Sequence, residues 1–141
     1  MLGNADVALH TATLAEAMPY FYRNADGDEL LFIHEGAGRM ETDFGPLTYE
    51  AGDYLLVPRG TVYRLAPTSP TRFLTVEAFS EVSFPDRGML GQHALFDPAV
   101  VRVPTPDEPS SARPDARGEY ELRILRRGVG AAGALPVVGH A

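Results

Sequence analysis

The chain offers a narrow set of residues for chemistry. It has four histidines, His10, His34, His93 and His140, and no cysteine. Disulfides, thiolate metal sites and cysteine nucleophiles are therefore excluded. No two histidines stand at His-x-His or His-x3-His spacing, and each reads as a lone hydrogen-bonded or surface residue. His34 follows Glu29 at an odd offset, which sends the two side chains to opposite faces of a strand. Carboxylate, phenol and amide chemistry remains, centred on Glu29 in an otherwise apolar run. Six residues separate Glu29 from Gly36, and five separate Gly52 from Pro58-Arg59-Gly60. Glycines at such points close tight turns at positive φ. A Pro-x-Gly turn reverses the chain at a barrel mouth, and a side chain two strands away then points into the same cavity as Glu29.

The elements that must position this glutamate are strands. Gly and Pro total 26 of 141 residues and cut the chain into short segments. The predicted strands are Val7–Thr11, Tyr20–Arg23, Glu29–His34, Gly38–Thr42, Leu47–Tyr49, Tyr54–Val57, Thr61–Leu65 and Arg72–Phe79, at the spacing of an all-β sandwich or barrel. Turns fall at Asp26-Gly27, Glu35-Gly36, Phe44-Gly45-Pro46, Ala51-Gly52-Asp53 and Pro58-Arg59-Gly60. In the Glu29 strand, Leu31 and Ile33 share the inner face, while Leu30 and Phe32 make the outer face apolar too. A strand apolar on both faces is covered on both sides.

Length allows one domain with a real core. Residues 6–103 read as the barrel, with Leu90, Leu95, Phe96, Val100 and Val101 as docking residues near its end. Residues 104–118 are a Pro-rich linker or loop, and 119–141 an extra strand, Glu119–Arg127, with an irregular tail. All twelve basic residues are arginine and the formal charge is −7. An acidic chain without a basic stripe is a poor partner for nucleic acid or an anionic membrane. No segment approaches a transmembrane span and the N-terminus lacks a basic signal-peptide region, so the expected location is cytoplasmic. Nucleophile-elbow, phosphate-loop and dinucleotide fingerprints are absent.

The Glu29-x6-Gly36 and Gly52-x5-Pro58-x-Gly60 skeleton resembles the paired motifs of the cupins. The implied fold is all-β, a single cupin-type double-stranded β-helix (jelly-roll barrel) with an irregular C-terminal extension. Metal-binding cupins carry His-x-His before the glutamate and a further His after the Pro-x-Gly turn. Here the corresponding residues are Tyr22, Asn24 and Tyr63, and only Glu29 keeps the expected type. One carboxylate, one amide and two phenols suit iron, zinc or manganese poorly. The expected arrangement is a hydrogen-bonded cluster of Tyr22, Asn24, Glu29 and Tyr63 filling the former metal cavity, with no metal. Two alternatives stay open. The same four residues could line a metal-free pocket for a small aromatic ligand, with Glu29 as general base and Tyr22 or Tyr63 as donors. An oxygenase with unusual metal ligands is the other.

Longer words narrow the resemblance. Tyr22-Arg23-Asn24-Ala25-Asp26-Gly27-Asp28-Glu29-Leu30-Leu31-Phe32, Gly52-Asp53-Tyr54 with Pro58-Arg59-Gly60-Thr61, and the run from Gly88 to Val100 containing Gly91-Gln92-His93-Ala94-Leu95 resemble the N-terminal half of homogentisate 1,2-dioxygenases. That resemblance implies a two-cupin, oligomeric protein that opens an aromatic ring with Fe(II) and O2. It places the iron in a C-terminal cupin and makes the N-terminal cupin structural. No cofactor is then expected in this chain, and its partners are other copies or a missing C-terminal cupin half.

Overall fold

A computed structural model describes residues 2–83, 97–105, 120–126 and 135–139. The described chain forms β1 (Leu2–Gly3), β2 (Val7–Leu14), β3 (Phe21–Asn24), β4 (Asp28–Glu35), β5 (Gly38–Thr42), β6 (Gly45–Tyr49), β7 (Tyr54–Val57), β8 (Val62–Pro67), β9 (Thr71–Ala78), a short 3-10 turn (Pro98–Val100), β10 (Tyr120–Leu125) and β11 (Leu135–Gly139). They make two sheets, a five-stranded one ordered β1-β2-β9-β4-β7 and a six-stranded one ordered β11-β10-β3-β8-β5-β6. All pairings are antiparallel except β10 with β3. The expected jelly-roll is thus realised as two facing sheets, and no ladder among the described residues closes them into a barrel. Among the described residues, the edge strands β7 and β6 each pair with one neighbour.

Period-two patterning explains the packing. In β4, Glu29, Leu31 and Ile33 are buried while Leu30 and Phe32 are half-buried. Leu31, Ile33, Leu55 and Val57 of one sheet meet Met40, Tyr49, Tyr63 and Leu65 of the other, and this apolar layer is the core. Register also builds a second apolar surface on the outside of the five-stranded sheet. One row runs Leu2, Leu9, Val76, Leu30, Leu56 across all five strands. The next contains Thr11, Leu74, Phe32 and Tyr54, with the Phe32 and Tyr54 rings 4.9 Å apart. Leu56 and Tyr54 stay 44% and 65% exposed.

The predicted strands all form, with ends shifted by up to three residues. Two strands among the described residues were not foreseen. β1 is too short to carry a pattern. β11 lies within the stretch read as an irregular tail, and its backbone pairs with β10 from Tyr120↔Gly139 to Ile124↔Leu135. A Gly- and Ala-rich sequence gives no period, so only the partner strand specifies the pairing. Val100 and Val101 are exposed rather than docked. His93, His140, Leu90, Leu95, Phe96 and nearly all of the Pro-rich stretch lie outside the described residues.

Four of the five expected turns hold a glycine at positive φ: Gly36, Gly45, Gly52 and Gly60. Gly36 and Gly52 have similar φ, 93° and 99°, but different surroundings. A Cβ on Gly52 would meet nothing within 4 Å, whereas one on Gly36 would press on the Pro70 carbonyl and lie 2.6 Å from Thr71 Cα. Gly52→Ala is therefore expected to cost about 1–2 kcal/mol from backbone strain alone. Gly36→Ala should cost about 3 kcal/mol or more, because backbone must move as well. Urea unfolding of the two variants measures the difference, and equal losses would refute the steric argument.

Candidate functional site

The site grows from the end of β3. Tyr22 pairs in register with Tyr63 of β8, and their rings meet edge to face at 5.5 Å. Two residues on, Asn24 points to the same side. Its Oδ1 accepts the backbone N–H groups of Asp26 and Gly27 at 2.9 and 3.1 Å, a side-chain-capped turn that delivers the chain into β4. Glycine is required at 27 for closeness, since a Cβ there would lie 2.5 Å from the Ala78 carbonyl oxygen. Glu29 then enters the interior from β4.

All four residues singled out from the sequence converge. Glu29 Oε2 accepts Tyr63 Oη at 3.0 Å. Its Oε1 accepts Asn24 Nδ2 at 3.4 Å and Tyr22 Oη at 3.5 Å, both at the long end of hydrogen bonding. Asn24, Glu29 and Tyr63 are buried, and Tyr22 packs against the core.

A second carboxylate, not anticipated, completes the cluster. Glu77 of β9 is the register partner of Glu29 and is 1% exposed. It accepts the shorter Asn24 bond, Nδ2 to Oε1 at 2.8 Å, and its Oε2 lies 3.4 Å from His10 Nε2. A signal for it existed. In the strand, Glu77 shares parity with Thr71, Phe73 and Thr75, which face inward. His10, read as isolated, thus reaches the cluster from β2, while His34 is exposed at the end of β4, as its parity required.

Burial dominates the electrostatics. It raises the Glu29 carboxyl above its ordinary value, and the Glu77 charge adds to this, against the Tyr63, Asn24 and Tyr22 hydrogen bonds. Burial, then the Glu29 charge, holds the Tyr63 phenol well above its ordinary value, so it stays a neutral donor.

These residues do not fit a metal. The Asn24 oxygen is spent on two backbone donors, and both Glu29 oxygens face side-chain donors. Among the described residues no group of three His, Cys, Asp or Glu side chains is arranged to hold an ion. A separate open groove of about 360 Å³ lies beside Asp28, Leu56, Arg59 and Phe79 and includes none of the four predicted site residues. No helix among the described residues is long and apolar enough to cross a membrane.

Comparison with known proteins agrees with this fold. Two solved structures share the fold: a cupin protein from Bacteroides fragilis (TM-score 0.51, 18% identity, covering 58% of this chain and 75% of that one) and a cupin superfamily protein from Desulfitobacterium hafniense (0.51, 17%, 57% and 73%). A dioxygenase-like protein of Saccharolobus solfataricus is 48% identical over 109 residues, which is 74% of this chain and 27% of that protein. Homogentisate 1,2-dioxygenase of Bradyrhizobium diazoefficiens is 32% identical over 95 residues, 64% of this chain and 21% of that enzyme. The chain thus spans about a quarter of the length of these relatives. The model of the homogentisate 1,2-dioxygenase N-terminal family matches residues 2–114, and the chain belongs to that family.

Proposed function

We propose that this chain is a non-catalytic cupin domain with a structural or oligomerising role, working in the cytoplasm. On this reading, ring cleavage with Fe(II) and O2 would rest on a C-terminal cupin that holds the iron, and not on the residues of this domain. The observation that carries the reading is the engagement of the central carboxylate. Glu29 is held by Tyr63 on one oxygen and by Asn24 and Tyr22 on the other. A general base or ligand needs a lone pair aimed at substrate or metal. The apolar rows outside the five-stranded sheet supply a surface for the scaffold role. Exposed apolar area of this kind is covered in an assembly, by a second copy or by a C-terminal cupin half.

Two measurements test this. The purified chain, incubated with Fe(II) and desalted, is expected to retain no stoichiometric iron by elemental analysis. With homogentisate it is expected to consume no oxygen. Ring cleavage by the chain alone would overturn the proposal.

A structural cluster also makes a stability prediction. Asn24→Ala removes a donor from both glutamates and strands the Asp26 and Gly27 N–H groups, for a loss of about 3 kcal/mol or more. Tyr63→Phe removes one 3.0 Å bond and should cost about 1–2 kcal/mol. Chemical unfolding checks the ranking, and an Asn24→Ala chain as stable as the parent would show that the cluster does not support the fold.

A further inference from the structure

Among the described residues the two sheets end on four edge strands, β1 and β7 in one and β11 and β6 in the other. Three of these are blunted. β1 spans two residues, and β6 and β11 contain Pro46 and Pro136, which cannot donate to a further ladder. β7 is left open. Its residues, Tyr54-Leu55-Leu56-Val57, include no proline, glycine or charge. An uncharged apolar edge is a template for another strand. Leu55 and Val57 are buried inward, while Tyr54 and Leu56 stay 65% and 44% exposed on the outer side.

The ladder shows which main-chain groups this edge offers. Ile33 N–H donates to the Asp53 carbonyl at 2.9 Å, and Leu31 and Glu29 pair in register with Leu55 and Val57. Antiparallel alternation then turns the main-chain groups of Leu55 and Val57 towards β4 and those of Tyr54 and Leu56 away from it.

We propose that β7 is a self-recognition edge, at which two copies of this chain pair β7 with β7 antiparallel about a two-fold axis beside Leu55 and join their five-stranded sheets into one. Tyr54 of one copy stands opposite Leu56 of the other and exchanges both main-chain bonds with it, and symmetry repeats the exchange. On the outer side, Leu30 and Leu56 then run on into Tyr54 and Phe32 of the second copy, so the apolar rows continue across the junction. Charge selects the antiparallel sense. Asp53 precedes β7 and the exposed Arg59 follows it, so antiparallel pairing brings unlike charges together at both ends, and parallel pairing brings like charges together. One short strand buries little area, and the dimer is accordingly weak and concentration-dependent. This inference rests on the structural reading above and names its partner at this edge, a second copy rather than a C-terminal cupin half.

The experiment uses the whole chain, followed by sedimentation equilibrium from micromolar to millimolar concentration. The parent's mass is expected to rise from that of one chain towards that of two. Leu56→Lys puts charge into the junction, and Leu56→Pro removes the donor aimed at the second copy while sparing the β4 ladder. Each should weaken association by about tenfold or more and keep the parent's far-ultraviolet circular dichroism. The lack of native cysteine permits a test of register. Residues paired in this way have Cα atoms about 5.5 Å apart, within disulfide reach. Tyr54→Cys and Leu56→Cys chains, mixed in a glutathione redox buffer, should cross-link well beyond either chain alone, because like positions stand diagonally across the junction. Where a Leu56→Lys or Leu56→Pro chain does not fold, this cross-link decides the matter. A parent that stays a single chain at every concentration, a dimer indifferent to both Leu56 substitutions, or cross-linking no greater in the mixture than in the separate chains would overturn the proposal. Each of those results leaves the non-catalytic reading standing, which falls only to ring cleavage by the chain alone.

Discussion

The side-chain amide of Asn24 is the joint on which the interior depends. Its strand lies in the six-stranded sheet, and both glutamates it touches lie in the five-stranded sheet. The same side chain folds the turn into β4 by capping two N–H groups, so local geometry and sheet-to-sheet contact share one residue. Tyr63 to Glu29 adds a second crossing in the same direction. A polar tie also appears towards another part of the interface, where Tyr49 Oη of β6 meets Thr71 Oγ1 of β9 at 3.4 Å. The apolar residues Leu31, Ile33, Met40, Leu55 and Leu65 fill the space between sheets. Directional bonds of this kind contribute modest net stability, but they penalise a slipped sheet pairing, because a one-residue shift would turn Glu29 or Asn24 to the wrong face.

That register requirement also shapes the outside. Placing Glu29, Leu31 and Ile33 inward leaves Leu30 and Phe32 outward, and the neighbouring strands continue the pattern with Leu74, Val76, Tyr54 and Leu56. A sheet with one solvated face would carry polar residues at these positions. The apolar rows therefore belong to the design of the sheet rather than to chance exposure of single residues. The inward Glu29 cluster and the outward apolar rows are two consequences of one strand pattern.

Much of this was legible in the residues themselves. A continuous apolar run between turn residues located β4, and the glycines at 36, 45, 52 and 60 marked turns that do sit at positive φ. Gly38–Thr42 and Tyr54–Val57 were bounded correctly because turn residues flank them on both sides. Tyr22, Asn24, Glu29 and Tyr63 could be grouped because the motif spacing fixes their strands. Glu77 was harder. It stands 48 residues beyond Glu29, no motif names it, and its role depends on β9 pairing with β4 across the intervening β5–β8 segment. The His10 contact required β2 to be placed beside β9, again a long-range pairing. Backbone pairing in β11 depends on β10 for the same reason, since Leu-Pro-Val-Val-Gly shows no period that would set its partner or register.

The glycine-proline skeleton and the interior side chains obey separate physical requirements. Gly36 and Gly52 serve backbone torsion, and any jelly-roll with these turns needs them whatever lies inside. Asn24 and the two tyrosines serve hydrogen-bond satisfaction of buried carboxylates, which a metal would otherwise provide. A sheet pair that buries Glu29 must answer its charge with a cation, a proton or a set of donors. Here the donors to Glu29 are Tyr63, Asn24 and Tyr22, and Asn24 also donates to the adjacent Glu77. The skeleton therefore reports the fold, and the side chains around Glu29 report how its buried carboxylate is met.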